Sequence, residues 1–156
     1  SSPWYTWPFM IRPIWYYSNS FPSGLKAGIS AFGNPLVWWG GIAAFVFCIL
    51  NAVRYKDKNA ILLIAAYAAN FAPWMFVERT TFIYHYFPSV PFVVLMIVYS
   101  FNKLSEKHNY AMRAALIYTG AAAVLFVLFY PVLTGTPVNA DFVIKFLRWL
   151  PGWVLI

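Results

Sequence analysis

Four long apolar runs, separated by short polar segments, dominate the pattern of the chain. Each run approaches the roughly 20 residues that an α-helix needs to cross the hydrocarbon core of a bilayer. We therefore predict four transmembrane helices, at approximately Pro35 to Val53, Asn59 to Val77, Phe82 to Phe101 and Met112 to Leu133. The start of the third helix can be placed at either of two positions: the helix begins at Phe82, or residues 82–87 are loop and the membrane crossing begins only at Pro88.

The polar segments between these runs predict the orientation of the chain. RYKDK at residues 54–58 joins the first two runs, NKLSEKHNY at residues 102–110 joins the last two, and both are basic. Short basic loops usually face the cytoplasm. The amino-terminal stretch, the connection at residues 78–81 and the carboxy-terminal tail are then external, as the crowding of Trp and Tyr near that boundary also indicates.

The first 34 residues contain no run of bilayer length. Prolines at positions 3, 8, 13 and 22 and glycines at positions 24, 28 and 33 interrupt every apolar stretch before it could span. We interpret residues 1–34 as an external loop that lies against the membrane. Residues 35–138 then form a four-helix transmembrane module.

The tail, residues 139–156, has the pattern of a short amphipathic helix. Asp141, Lys145 and Arg148 are spaced at i, i+4 and i+7 and share one helical face, whereas phenylalanines and other large apolar side chains cover the rest. Asn139 or Asp141 could cap this helix, and the Pro-Gly pair that follows would stop it. The predicted fold class is an all-α membrane protein with four transmembrane helices, an external amino-terminal loop and an interfacial amphipathic helix at the carboxy terminus.

Composition excludes a water-soluble globular protein. Hydrophobic residues make up 62% of the chain, charged residues only 10%, and the mean hydropathy is +0.66. The net charge of +7 comes from Lys and Arg scattered beside the apolar runs, which is typical of topology determinants and headgroup contacts. No basic face or motif for nucleic acid accompanies them. The single cysteine, Cys48, lies inside the first run and behaves there as a small hydrophobe.

The chain has only four acidic residues, which limits acid–base chemistry. Asp57 and Glu106 fall in the cytoplasmic loops, and Asp141 is better explained as a helix cap. Only Glu78 remains, and its neighbour Arg79 suggests a salt bridge with an adjacent span. We therefore expect no catalytic residue in this chain. We also expect no cofactor, and no metal site because the two histidines, at positions 85 and 108, lie on opposite sides of the membrane.

The external connection contains one chemically distinctive cluster, within ERTTFIYHYFPSVPF at residues 78–92. Arg79 is a cation at the membrane edge, and His85 follows it among aromatic residues that include Tyr86. A guanidinium in this position suits the phosphate of a lipid carrier, because desolvation strengthens a charge-assisted hydrogen bond while the carrier's tail stays in lipid. The alternative is structural: Arg79 would extend to lipid headgroups and His85 would satisfy a buried carbonyl.

Other cations could add to this anionic site. Arg12 and Lys26 lie in the external loop, where nothing in the sequence determines their depth. In the tail, Lys145 and Arg148 either contact an anionic substrate or only hold the tail against the membrane surface. The sequence leaves both interpretations open.

Four phrases of the chain coincide in order and spacing with one enzyme family: SSPWYTWPFMIRPIWYY, GNPLVWW, APWMFVERTTFIYHYFPSVPF and RWLPGW. Over almost the whole chain they resemble the carboxy-terminal four-span module of protein O-mannosyltransferases. The resemblance implies a multi-span glycosyltransferase of the GT-C class. Such enzymes move mannose from a dolichyl- or polyprenyl-phosphate carrier to Ser or Thr hydroxyls of exported proteins.

The resemblance also implies roles for individual residues. Arg79, His85 and Tyr86 match the family's external motif, and we assign them to the lipid-phosphate side of the pocket. The residues that match the earlier motif would instead pack the start of the first transmembrane helix: Asn34, Pro35, Trp38 and Trp39. The form YHYFPSVPF is similar to the bacterial branch, which implies a bacterial plasma membrane and a polyprenyl carrier.

The catalytic Asp of this family lies in the first external loop near the amino terminus, and the chain has no counterpart of that loop. Its opening, Ser-Ser-Pro without an initiator Met or a signal peptide, looks like the middle of a longer polypeptide. We therefore expect an upstream part of the same enzyme to supply catalysis, and the isolated chain to be inactive. The alternatives are a non-enzymatic membrane subunit or lipid-binding scaffold, and a transporter, for which the spans carry few polar residues.

Overall fold

The structure, a computed structural model, describes all 156 residues and contains four long helices. Their bounds are Pro35–Tyr55 for α1, Lys58–Phe71 for α2, Val90–Ser105 for α3 and Ala111–Thr134 for α4. Two 3₁₀ segments extend the bundle, Ala72–Phe76 after α2 and Ile83–Ser89 before α3. With these segments included, all four helices are long and apolar enough to cross a membrane. The four predicted spans are confirmed as helices, and with the 3₁₀ segments counted their ends shift by no more than four residues.

Local sequence explains where the first two helices begin. The Asn34 side chain accepts a hydrogen bond from the backbone N–H of Leu36 (3.1 Å) and so caps α1. Asp57 caps α2 by accepting from the backbone N–H groups of Asn59 (2.9 Å) and Ala60 (3.2 Å). Each cap satisfies donors that the first turn of a helix leaves free.

The first 34 residues, predicted as a loop, contain two strands of a small antiparallel sheet. β1 (Ile14–Ser20) and β2 (Leu25–Ala31) form a hairpin, and β3 (Val138–Asn139) pairs with the other edge of β2. The turn of the hairpin ends at Gly24, whose φ of +77° favours glycine. The fold is therefore mostly helical, and the all-α prediction holds only for the membrane-spanning part.

Indole N–H groups bind the segment that precedes this sheet. Trp38 of α1 donates to the carbonyl of Trp7 (2.9 Å), and Trp39 donates to the carbonyl of Phe9 (3.2 Å). From the far end of the chain, Trp153 donates to the carbonyl of Met10 (2.8 Å). Trp7 and Met10 are fully buried, so this part of the amino-terminal segment belongs to the hydrophobic core. The Trp153 bond gives the carbonyl of buried Met10 a partner that no backbone N–H supplies.

The tail packs on the sheet. Its helical part covers Ala140–Phe142 and continues as a π-helix over Val143–Leu147. The first and last residues of the π-helix are buried, whereas the phenylalanines of the predicted apolar face are exposed. Further along, the Ser30 hydroxyl of β2 donates to the carbonyl of Val154 (2.9 Å). The last residues of the chain therefore cross the sheet and help to close the core.

Gly28 lies where this crossing is tightest. A Cβ at Gly28 would collide with the carbonyl oxygen of Leu155 and lie 2.8 Å from the Cα of Ile156. Both are backbone atoms, which cannot rotate aside as a side chain can. We expect Gly28→Ala to detach the last residues from the sheet and to expose Trp153, which is buried in the native chain.

Limited proteolysis in detergent tests this expectation. The tail of Gly28→Ala should be cleaved at least about fivefold faster than that of the native protein, because cleavage follows the population of the open form. Gly120→Ala is the matched control, since a Cβ at Gly120 meets open space. Native-like digestion of both variants would contradict the tight crossing.

The two ends of the helical bundle differ in character. The sheet end carries β1–β3, the tail and the connection at residues 77–82. The basic end carries the connections at residues 56–57 and 106–110, which Lys103 links because its Nζ lies 3.3 Å from a carboxylate oxygen of Asp57 and of Glu106. This grouping agrees with the predicted topology. The assignment of the basic end to the cytoplasm stays a prediction.

Candidate functional site

An apolar groove of about 440 Å³ lies towards the sheet end, between α1, α2, α3 and the amino-terminal residues. Phe45, Phe71 and Met96 contribute to its walls, while the small side chain of Ala68 leaves room inside it. Sites for small molecules typically have this size and this predominance of hydrophobic side chains. The groove is therefore suited to a ligand with a large apolar part.

Two tyrosine hydroxyls supply polarity to the groove. The hydroxyls of Tyr67 on α2 and Tyr86 in the 3₁₀ segment before α3 lie 3.0 Å apart, and both side chains are buried. Each hydroxyl is the only partner of the other, so one of the two protons has no acceptor within the protein. The predicted site residue Tyr86 thus lies in the groove wall, where the pair can offer one hydrogen bond to a ligand.

His85 lies in an aromatic cluster beside this wall. Its ring stacks on Trp7 at a centroid distance of 5.9 Å and packs against Trp74 at 4.3 Å and Tyr84 at 4.2 Å. The Nδ1 atom lies 2.9 Å from the carbonyl oxygen and 3.1 Å from the backbone nitrogen of Phe82. This geometry matches the structural interpretation of His85 as a partner for backbone groups. It leaves Nε2 as the ring nitrogen without a protein partner.

Arg79 lies exposed in the connection between the two 3₁₀ segments. It forms no hydrogen bond or ion pair within the protein, and neither does its neighbour Glu78. The salt bridge with an adjacent span, which the Glu-Arg pair suggested, is therefore absent. A guanidinium in this state keeps all its donors available for an anion.

The connection that carries Arg79 is joined to the rim of the groove. Ser2 donates from its backbone N–H to the carbonyl of Thr81 (2.9 Å), and the Thr81 hydroxyl donates back to the carbonyl of Ser2 (3.1 Å). Trp4 lines the groove two residues after Ser2, and Met75 lines it four residues before Arg79. Arg79 is thus tied by sequence and by hydrogen bonds to the two segments that border the groove.

Three further predicted cations lie elsewhere on the sheet end. Arg12 is exposed, and its side-chain stem lies beside Gly152 in the tail. Arg148 donates to the carbonyl of Pro151 (2.8 Å) and so stabilises the same turn. Lys26 is exposed on β2 and lies opposite β3. No contact joins these cations to Arg79, so the structure does not gather them into one cluster.

Tyr67 is the functional candidate that the sequence did not indicate. It lies within AAYAAN, a helical run without other notable chemistry, and its partner Tyr86 is 19 residues away. A single tyrosine among small residues was the only available signal. Without the packing of α2 against the segment before α3, nothing connects the two hydroxyls.

Together these features define the class of protein. The four membrane-length helices are typical of a multi-pass membrane protein, and the apolar groove and the unpaired guanidinium lie towards one end of them. The chain belongs to the protein O-mannosyltransferase family, since the family model described as the C-terminal four TMM region of protein-O-mannosyltransferase matches residues 1–153. This match confirms the resemblance seen in the sequence.

Individual relatives are similar over most of the chain. It is 26% identical to the polyprenol-phosphate-mannose–protein mannosyltransferase of Mycolicibacterium smegmatis, over 98% of the chain and 32% of the relative. It is 23% identical to the dolichyl-phosphate-mannose–protein mannosyltransferase 1 of Saccharomyces cerevisiae, over 95% of the chain and 20% of the relative. The protein O-mannosyl-transferase 1 of Homo sapiens is 24% identical, over 84% of the chain and 21% of the relative.

The chain therefore spans about a third of the length of the mycobacterial relative and about a fifth of the length of the yeast and human ones. No solved structure matches the chain.

Proposed function

We propose that the chain is the membrane part of a glycosyltransferase that moves mannose from a polyprenyl-phosphate carrier to Ser or Thr hydroxyls of exported proteins. The chain forms part of the carrier pocket, and another part of the same enzyme supplies the catalytic Asp. The observation that carries this proposal is the apolar groove, whose bordering segments hold an unpaired guanidinium. The names of the relatives favour the same kind of donor and a protein acceptor.

The two parts of a polyprenyl-phosphate carrier have opposite requirements, and the sheet end offers both. The isoprenoid tail needs an apolar surface, which the groove provides along Phe45, Phe71 and Met96. The phosphate needs cationic donors, which Arg79 provides because no carboxylate occupies its guanidinium. A guanidinium can bind two phosphate oxygens at once, and such bidentate pairs are stronger than neutral hydrogen bonds.

The other predicted residues support the carrier in different ways. We assign His85 to the wall near the phosphate, where Nε2 is free for a ligand while Nδ1 contacts the backbone. Tyr86, with Tyr67, offers one hydroxyl proton from within the groove. Arg12 adds positive charge to the exposed surface of the sheet end, which attracts an anionic carrier at longer range.

The acidic residues of the chain support a catalytic base elsewhere in the enzyme. Asp57 and Glu106 pair with Lys103 at the basic end, far from the groove along the helices. Glu78 and Asp141 are exposed and form no salt bridge. In this proposal the sheet end is external, the membrane is a bacterial plasma membrane, and the chain alone is inactive.

Replacing Arg79 tests the proposed phosphate contact. In the enzyme as the organism encodes it, Arg79→Ala should reduce mannose transfer from polyprenyl-phosphate-mannose to an acceptor peptide at least about tenfold, because the charge-assisted hydrogen bonds to the phosphate are lost. Arg79→Lys should recover part of the activity, because the charge returns without the bidentate geometry. Transfer is measured with radiolabelled donor in reconstituted vesicles.

Arg113→Ala is the control, because it removes an exposed arginine from the basic end. It should transfer mannose at the native rate, and all variants should insert into membranes equally. Native transfer by Arg79→Ala would contradict the assignment of the phosphate to Arg79. If the native protein bound the carrier but transferred no mannose, this result would favour a lipid-binding scaffold instead.

A further inference from the structure

A second cleft, at the basic end, differs from the groove in its polarity. It has a volume of about 560 Å³ and lies between the last turns of α1 and α3 and the connection to α4. Charged side chains line part of it, and Phe47, Leu50 and Leu104 form an apolar strip beside them. The proposed function does not use this cleft, which lies at the opposite end of the helices.

One lysine pairs with both carboxylates of the cleft. The Lys103 ammonium lies 3.3 Å from Asp57 and 3.3 Å from Glu106. Hydrogen bonding from the backbone N–H of Ala60, together with the Lys103 ammonium, lowers the pKa of Asp57. Asp57 therefore stays ionised at neutral pH, and Lys103 stays paired with it. The three lining cations, Arg54, Lys103 and Lys107, outnumber the two carboxylates, so the lining keeps a net positive charge.

Arg54 and Lys107 are the cations that remain. Both lie near the ring of Tyr55, with the Arg54 Cζ 5.9 Å and the Lys107 Nζ 5.8 Å from its centroid. The ring attracts each cation, but two positive charges gathered at one ring repel each other. An anion in contact with both cations would replace this repulsion by two attractive contacts.

We propose that this cleft binds an anionic phospholipid, with its phosphate between Arg54 and Lys107 and an acyl chain along the apolar strip. The cleft lies at the ends of two membrane-spanning helices, the depth at which lipid headgroups lie. Leu50 is 57% exposed, so the strip is open to the surrounding acyl chains. A free phosphate or an acidic peptide would leave this strip uncovered, whereas a phospholipid matches both the charge and the apolar surface.

Photolabelling tests the site in the enzyme as the organism encodes it. The protein is reconstituted in phosphatidylcholine nanodiscs with a small fraction of photoreactive phosphatidylglycerol, and labelled peptides are identified by mass spectrometry. Labels should lie in the last turns of α1 and in residues 103–107. The double variant Arg54→Gln with Lys107→Gln should lose about tenfold in labelling there, as expected for two headgroup contacts.

A double variant of Lys58→Gln with Arg113→Gln is the matched control. It removes the same charge from the same end, but neither residue lines the cleft. Its labelling should stay within about twofold of the native protein, because exposed charges beyond the site are screened by salt. In the native sequence, unlabelled phosphatidylglycerol should displace the probe, and photoreactive phosphatidylcholine at the same fraction should label the cleft much less.

Three results would overturn the proposal. Equal loss of labelling in both double variants would show general attraction to a positive surface, and unchanged labelling in Arg54→Gln with Lys107→Gln would show that the cations do not bind the lipid. Equal labelling by photoreactive phosphatidylcholine would show that the cleft does not select a charge. The proposed function does not depend on these outcomes, since it rests on residues of the sheet end.

Discussion

Trp7→Ala is expected to lower the free energy of unfolding by about 4 kcal/mol, because a fully buried indole leaves a cavity that its neighbours cannot fill. The ring packs edge-on against Phe71 and Trp74 and stacks on His85. Its N–H also donates to the carbonyl of Ser2 (3.0 Å), which would lose this partner. One substitution thus removes contacts to the amino terminus, to α2 and to the aromatic cluster at once.

Thermal unfolding in detergent measures this loss. For a chain of this size a change of about 4 kcal/mol corresponds to a fall in Tm of about 10 °C. Trp7→Phe should lose only about 1 to 2 kcal/mol, because most ring contacts remain while the N–H donor is absent. A loss equal to that of Trp7→Ala would show that the hydrogen bonds dominate over the packing.

Trp15→Ala is the matched control, because it removes the same side chain from the hairpin at a position that is 50% exposed. We expect its Tm to stay within about 3 °C of the native value. Equal Tm values for Trp7→Ala and Trp15→Ala would contradict the placement of the amino-terminal segment in the core. The segment would then be a surface attachment, as the sequence alone suggested.

The spans could be predicted from the sequence because the bilayer imposes simple requirements. A crossing segment needs enough apolar residues and must satisfy its own backbone groups, so length and hydropathy suffice to locate it. The basic residues around Lys56 and Lys107 likewise indicated which connections share an end. Neither signal depends on how the helices pack.

The sheet could not be predicted in the same way, because its strands do not show an alternating pattern. Six of the seven residues of β1 are exposed, including three consecutive aromatic residues, so no buried face marks this strand. Ser30 and Gly28 of β2 are buried, but the segment that covers them lies more than 120 residues later. Prolines and glycines that excluded a transmembrane helix were in fact compatible with a hairpin.

The candidate site was partly predictable. The sequence located the connection that carries Arg79, because a cation beside aromatic residues at a membrane edge is unusual chemistry. It did not indicate the groove, since the groove is formed where α1, α2 and the amino-terminal residues meet. Tyr86 acquired a partner only through packing, in which the hydroxyl of Tyr67 comes within 3.0 Å. Long-range pairing of this kind leaves no local pattern.

Ala68→Trp is expected to reduce kcat/KM for a long-chain polyprenyl-phosphate-mannose about 50-fold, if the groove holds the carrier's tail. Ala68 lines the groove, and an indole there would occupy the space of the apolar ligand. Excluding three methylene-sized groups at roughly 0.8 kcal/mol each costs about 2.4 kcal/mol of burial. The loss should be in KM, because the tail binds equally in the ground state and the transition state.

Two comparisons separate a blocked groove from a damaged fold. Ala69→Trp places the same indole on the neighbouring exposed position, which does not line the groove, and should retain native kinetics. With a donor that has only one or two isoprene units, kcat/KM of Ala68→Trp should be only about threefold below that of the native enzyme. A tail this short buries little apolar surface in the groove, so blocking the groove costs little. If both tryptophan variants lose activity equally with long and short donors, the carrier binds elsewhere. The groove would then bind another apolar ligand. This outcome would not affect the fold or the family assignment of the chain.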